Sequence, residues 1–196
     1  MTKRLFDIFF SLFGILILFP LFLIISLLIV IDSKGGVFYL QNRVGRCGKD
    51  FKLFKFRTMQ SNSDKKGLLT VGSKDSRITK IGYYLRKYKI DELPQLINVL
   101  NGTMSFVGPR PEVRKYVDLY NEDQLQILNV QPGITDFASL EYFHENDLLA
   151  KSDNPEKTYI EEVMPAKIAL NKKYIANPSL GTDISIILKT IKKIFS

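Results

Sequence analysis

Residues Leu5 to Ile31 form one apolar block, broken by Asp7 near its start and Pro20 near its middle. A cleaved signal peptide does not fit: the apolar run is too long, and no small-residue cleavage site precedes Asp32. Two readings stay open. About 20 apolar residues suffice for a single spanning helix. Alternatively the helix breaks at Pro20 and returns to the face it entered from, a re-entrant hairpin. Lys3 and Arg4 precede the block, and Lys34, Arg43, Arg46 and Lys49 follow it. The positive-inside tendency would therefore hold both ends in the cytoplasm. Ile8 to Phe19 spans about 18 Å at 1.5 Å per residue, short of the ~30 Å hydrocarbon core. A proline inside lipid frees a carbonyl that something must satisfy, and Ser11 or Ser26 could supply the bond.

Beyond the block, 196 residues suit one domain with a real core. The net charge of +8 points to an anionic partner: lipid headgroups, a phosphorylated substrate or nucleic acid. One cysteine, Cys47, excludes an internal disulfide, and with a single histidine, His144, it leaves no zinc constellation. Any metal would be a hard cation on carboxylate and phosphate oxygens, and magnesium fits best.

Chemistry concentrates between Arg86 and Glu112. The adjacent carboxylates Asp91 and Glu92 precede Leu93, Leu96, Ile97 and Leu100, which recur at helical spacing. Pro94 is tolerated only in a helix's first turn, so the acids belong at its N-terminus. Free N–H groups and the positive dipole end favour anions there. Arg86, Lys87 and Lys89 lie upstream, while Gly108-Pro109-Arg110-Pro111 makes a stiff turn that fixes one guanidinium. Taken singly, the acid pair reads as a helix cap and the proline motif as a turn. Together, two acids among cations can handle a phosphoanhydride.

Asp-Glu-Leu-Pro-Gln-Leu, Asn-Val-Leu-Asn-Gly and Met-Ser-Phe-Val-Gly-Pro-Arg-Pro occur here in order. With Lys55-Phe56-Arg57-Thr58-Met59 upstream and Gln131-Pro132-Gly133-Ile134-Thr135 downstream, the chain closely resembles the bacterial sugar transferases known as monotopic phosphoglycosyl transferases. The resemblance covers nearly the whole chain. It implies a re-entrant membrane helix with its break at Pro20, although Phe19 stands where many relatives have Ser. It implies transfer of a phosphosugar from a UDP-sugar to polyprenyl (undecaprenyl) phosphate, with release of UMP, in surface glycan or glycoconjugate synthesis. Asp91 would be the nucleophile that carries the phosphosugar covalently. Glu92 would steer or deprotonate the incoming lipid phosphate. Lys55, Arg57, Arg86, Pro109, Arg110 and Pro111 would bind substrate, and Asp91 is the candidate ligand for Mg2+. The implied location is the cytoplasmic face of the bacterial inner membrane, against membrane lipids, with a homodimer left open.

The expected architecture is α+β and mostly helical: a membrane hairpin over 1–34 and a catalytic domain over 35–196 resting on the membrane. Val37 to Leu40 and Phe51 to Phe56 read as a small β-hairpin across Gly45–Gly48, with Lys52 and Lys55 on one face and Phe51 and Leu53 inward. Residues 60–76 read as a polar loop that could close over substrate. Helices are expected from Ser76 or Arg77 to Tyr88, Glu112 to Asn129 (burying Val113, Val117, Tyr120 and Leu125), Tyr159 to Ala176 with a kink at Pro165, and Leu180 to Phe195. Residues 145–156 read as an acidic loop. On the last helix Ile184, Ile187, Leu188, Ile191 and Ile194 oppose Lys189, Lys192 and Lys193, suiting either core packing or the membrane interface. Thr135-Asp136-Phe137-Ala138 departs from the Thr-Gly-aromatic-Ala pattern of many relatives, in a region expected to touch the nucleotide sugar. His144 reads as a surface hydrogen-bonder.

The main rival is a membrane-tethered basic module that grips anionic lipid or nucleic acid without catalysis. Aromatic-basic interleaving is confined to residues 51–57, and no nucleic-acid motif is present, so no nucleic-acid partner is expected. A purely structural membrane-surface protein leaves the acid pair beside a rigid arginine turn unexplained. An ordinary glycosyltransferase would release UDP instead of UMP.

Overall fold

A computed structural model describes residues 2–61, 63 and 75–195. Residues 62 and 64–74 of the expected 60–76 loop lie outside the described residues. The chain is mostly helical, with two small sheets and one long apolar helix at its start.

That helix, α1 (Thr2–Asp32), runs through Pro20. Its inward residues, Asp7, Ser11, Phe22, Ile25 and Ile29, follow helical spacing, and Leu18 joins the same stripe. The other sides expose Phe9, Phe13, Leu16, Phe19, Leu23 and Leu27. Both ends are tied to the body. Lys3 pairs with Asp183 at 2.5 Å, and Arg4 donates to the Val99 and Leu100 carbonyls. At the far end, Asp32 accepts the Ile81 N–H at 2.9 Å. Asp7 has a clear reason to interrupt the apolar block, because its Oδ1 accepts the Phe106 N–H. Ser11 and Ser26 do not take the expected role. Their hydroxyls go to the Ile8 and Phe22 carbonyls, not to the Leu16 carbonyl freed by Pro20.

The expected hairpin forms from β1 (Phe38–Val44) and β2 (Asp50–Phe56), antiparallel, with Tyr39 opposite Lys55 and Val44 opposite Asp50. Lys52 and Lys55 do not share a face. They are three apart on a period-two element, so the pleat leaves Lys52 exposed and turns Lys55 to the side of Leu53. Phe56, on the opposite side from Leu53, packs with Phe22, Ile25 and Ile29 of α1.

Helix α2 (Lys80–Lys87) starts later than expected because Thr79 caps it, its Oγ1 accepting the Gly82 N–H. A 3-10 turn, Ile90–Glu92, and Pro94 then lead into α3 (Gln95–Asn101). Asn98 of α3 laces this helix to β2: it accepts the Phe54 N–H at 2.9 Å and donates to the Lys52 carbonyl at 2.8 Å. β3 (Ser105–Val107) follows.

The single helix expected over Glu112–Asn129 does not form. It divides into α4 (Arg114–Val117), α5 (Glu122–Leu125) and a 3-10 turn, Gln126–Asn129. Asn121 starts a new helix with a capping box to Gln124, which requires a non-helical backbone at Asn121 itself. Val113 and Val117 are buried as expected, joined by Tyr116 and Ile127, whereas Leu125 is exposed. β4 (Gly133–Thr135) then pairs in parallel with β3. The two strands meet through glycines. A Cβ on Gly133 would lie 2.1 Å from the Gly108 nitrogen, and one on Gly108 would lie 2.3 Å from the Gln131 oxygen. The Gly-Pro-Arg-Pro and Gln-Pro-Gly motifs are thus one junction.

Next come α6 (Phe137–Glu141), α7 (Glu145–Leu149) and α8 (Pro155–Thr158). The expected acidic loop is therefore partly helical, and it anchors itself by burying Leu149 among Tyr116, Ile127 and Tyr159. α8 continues through a π turn, Tyr159–Val163, into α9 (Met164–Ala176). The wider turn precedes Pro165, whose ring cannot continue an ordinary α ladder. α10 (Leu180–Phe195) has the expected bounds. It turns Asp183 and Ile186 to the core, while Ile184, Leu188, Ile191 and Phe195 are exposed. Most of the expected apolar stripe is therefore not core.

Candidate active site

A cavity of about 750 Å³ opens where β2, the Ile90–Glu92 turn and the Gly108–Pro111 junction converge with α6, α9 and α10. Asp91 and Glu92 both line it, but in different electrostatic states. Glu92 is bound on both sides: Lys55 Nζ lies 3.2 Å from its Oε1, and Arg110 grips both oxygens, with Nη1 3.1 Å from Oε2. Burial would raise the Glu92 pKa, but Arg110 and Lys55 outweigh it and hold the carboxyl well below its usual range. Asp91 is 6% exposed and accepts no side-chain hydrogen bond or ion pair from the described residues. Burial, and then the neighbouring Glu92 charge, push its pKa up, while Lys55, Arg86 and Lys89 moderate the rise. Two adjacent carboxyls driven in opposite directions mark a site with divided roles.

The cations are positioned by the fold. Lys55 reaches Glu92 because the pleat turns it inward, and burial there lowers its pKa. Arg110 is held at its backbone, whose N–H donates to Asp136 Oδ2 at 3.1 Å, and at its head, which also donates to the Ile134 carbonyl. The Glu92 charge raises the Arg110 pKa further, so the guanidinium stays charged. Arg86 from the end of α2 and Lys89 line the same cavity. Lys89 adopts the left-handed backbone conformation, φ 54°, at the start of the 3-10 turn.

Of three further expected residues, Arg57 and Pro111 border the cavity while bonding to other parts of the chain, and Pro109 lies outside it. The Arg57 guanidinium donates to the carbonyls of Ser33, Lys34 and Gly35, at 2.7 Å, 2.5 Å and 3.4 Å, so it ties down the turn that follows α1 while bordering the cavity. Pro109 is buried outside the cavity, where its carbonyl accepts the Gly133 N–H. Pro111 borders the cavity, and its carbonyl accepts from Arg43 at 2.9 Å. Asp136, in the variant motif, is fully buried and caps α6 through the Ser139 N–H, so its contact with Arg110 is the one that matters for the site. His144 lies at the surface, 3.8 Å from Asp147.

Residues missed in the sequence complete the wall. Arg43 donates to Glu112, which also accepts the Tyr159 hydroxyl, and all three line the cavity. The two contacts join residues 69 and 47 positions apart, which leaves no local signal. Asn171 on α9 and Ser139 on α6 also face the cavity. Among the described residues no three His, Cys, Asp or Glu side chains gather as a metal cage. Asp91 offers an uncommitted carboxylate, so a divalent ion here would fill its shell with phosphate oxygens and water, as Mg2+ commonly does.

The family profile described as "Bacterial sugar transferase" matches residues 1–196. The chain belongs to this family. Among curated bacterial sugar transferases and related proteins, it is 38% identical over 99% of its length to the UDP-N-acetylgalactosamine-undecaprenyl-phosphate N-acetylgalactosaminephosphotransferase of Aeromonas hydrophila, of which it spans 44%. It is 34% identical over its full length to the UDP-glucose:undecaprenyl-phosphate glucose-1-phosphate transferase of Escherichia coli (strain K12), spanning 40% of that protein. It is 39% identical to the exopolysaccharide production protein PSS of Rhizobium leguminosarum bv. phaseoli, where the match takes in 96% of this chain and 92% of the relative. The chain thus spans less than half of the first two relatives and nearly all of the third.

Proposed function

We propose that this sugar transferase moves a phosphosugar from a UDP-sugar to undecaprenyl phosphate, yielding undecaprenyl-diphosphate-sugar and UMP. The observation that carries the reading is the unengaged, buried Asp91 beside a Glu92 locked between Lys55 and Arg110. The activities for which the Aeromonas and Escherichia coli relatives are named support the substrate class.

In the first step an Asp91 carboxylate oxygen attacks the sugar-linked phosphorus. The P–O bond to the uridine-bearing phosphate breaks, and UMP leaves with the bond's electron pair. A carboxylate whose proton affinity is raised is the better nucleophile once ionised, and the acyl phosphate it forms is activated for the second step. A phosphate oxygen of the lipid then attacks that phosphorus and restores Asp91. Arg110, Arg86 and Lys55 offset the repulsion between an anionic nucleophile and a diphosphate. Glu92 is a poor base in this setting, so its role is to hold Arg110 and Lys55 in position and steer the lipid phosphate. Bound Mg2+, with Asp91 as protein ligand, would supply further charge neutralisation at the phosphates.

α1 serves as the membrane element over 1–34, and 35–196 form the catalytic part. Both ends of α1 bond to the same folded body, which supports entry and exit on one membrane face and hence a monotopic arrangement, and the basic residues that flank α1 favour the cytoplasmic side of the inner membrane. The exposed Ile184, Leu188, Ile191 and Phe195 of α10 suit the interface beside it. The site then lies where a polyprenyl phosphate headgroup can reach it. Incubation with a panel of UDP-sugars and undecaprenyl phosphate tests the reading. UMP release dependent on both substrates is expected, while UDP release, or none, contradicts it.

A further inference from the structure

Two polar side chains in the cavity have no part in the steps above. Asn171 belongs to the buried row Met164, Ile168, Asn171 and Tyr174 of α9, where helical spacing calls for an apolar or capped side chain. It is 4% exposed, it lines the cavity, and its Oδ1 has no hydrogen-bond partner. Ser139 lies on α6, which packs against α9, and its buried Oγ is likewise unpartnered. Nearby polar groups on the wall are satisfied: Lys167 pairs with Glu145 at 2.6 Å, and the Tyr159 hydroxyl donates to Glu112. A buried acceptor without a donor destabilises the fold that holds it. Such broken local rules concentrate where a ligand completes the pairing.

We propose that Asn171, assisted by Ser139, reads an amide edge of the nucleotide-sugar donor. The inference rests on the donor reading above. A carboxamide complements an N–H beside a C=O, since Oδ1 accepts the former while Nδ2 donates to the latter. A UDP-sugar presents this edge at the uracil imide and, in acetamido sugars, at the N-acetyl group. Tyr142 and Phe143 border the same cavity and supply flat apolar surface for a base or sugar ring.

The test uses the full chain in detergent, with Asn171→Leu, Asn171→Asp and Ser139→Ala. UDP binding is measured by calorimetry, and UMP release is compared for UDP-N-acetylglucosamine, UDP-N-acetylgalactosamine and UDP-glucose. Without ligand, Asn171→Leu should melt no lower than the unmodified chain, because no protein hydrogen bond to Oδ1 is lost. A fall of at least fivefold in UDP affinity assigns Asn171 to uracil. Retained UDP affinity with a fall of at least fivefold in the kcat/KM ratio of acetamido donor to UDP-glucose assigns it to the sugar. Either supports the proposal. If both change less than fivefold, or if Asn171→Leu lowers the melting temperature and nothing else, the proposal is overturned. Should the leucine variant fail to fold, Asn171→Asp carries the comparison, since it keeps the shape and removes the donor. An unmodified chain that neither binds UDP nor releases UMP would sink the donor reading itself. Normal binding that ignores Asn171 sinks this inference alone.

Discussion

Arg110 holds both carboxylate oxygens of Glu92, one arm of the fork measuring 3.1 Å, while its own backbone N–H is fixed by Asp136. The fork sets one acid apart from the other. Engaged with two cations, Glu92 is an anchor, and Asp91 beside it is left available.

Glu92→Gln should therefore cost stability as well as activity. It leaves the half-buried Lys55 and Arg110 without their countercharge, a change worth about 1–3 kcal/mol. Turnover should fall at least 100-fold. The sign in pH follows from a depressed carboxyl: the stabilisation is fully present above the unfolded value near 4.5 and fades as pH falls towards the lower folded value. Melting curves from pH 7 to pH 3 check this, the gap between parent and variant narrowing only at the acid end.

Asp91→Asn should do the opposite to stability. A carboxyl with a raised folded pKa is favoured when protonated, so its ionised form destabilises the fold above the unfolded value near 3.8. The neutral amide should leave the ligand-free protein as stable as the parent or more so at pH 7, by apparent melting temperature in detergent, while UMP release disappears.

Arg57→Ala should act through α1. Its guanidinium binds three carbonyls of the turn just beyond the helix, and losing charge-assisted bonds of that kind costs about 2–3 kcal/mol. A lower melting temperature with an unchanged donor KM is expected. A raised KM at parental stability would return Arg57 to substrate binding.

Gly133→Ala should prevent folding, because the new methyl would enter the Gly108 backbone at 2.1 Å. Loss of the folded yield on expression, against a parental yield for a surface change such as Lys189→Ala, is the measurement.

The acid pair, its flanking cations, the β-hairpin and the bounds of α10 were legible because each rests on local spacing. Pleat periodicity could also have separated Lys55 from Lys52, since residues three apart in a strand face opposite ways. Other features depend on distant partners. β3 and β4 are three residues each and pair across more than 20 positions, so neither announces itself. Arg57 sits within a motif beside Lys55, and only the folded path of α1 reveals that its guanidinium turns to Ser33, Lys34 and Gly35. The break at Asn121 does rest on a local signal, the capping-box spacing of Asn121 and Gln124, which the expectation of one helix over Glu112–Asn129 passed over. Asn171 carries no local signal, because its burial depends on the packing around α9.

The central claim is tested most directly by mixing the protein with a UDP-sugar labelled at the sugar-linked phosphate, without lipid acceptor, and mapping the labelled peptide. The account predicts label on Asp91, released when undecaprenyl phosphate is added and absent from Asp91→Asn. Turnover without label on Asp91, or label retained by Asp91→Asn, would contradict it.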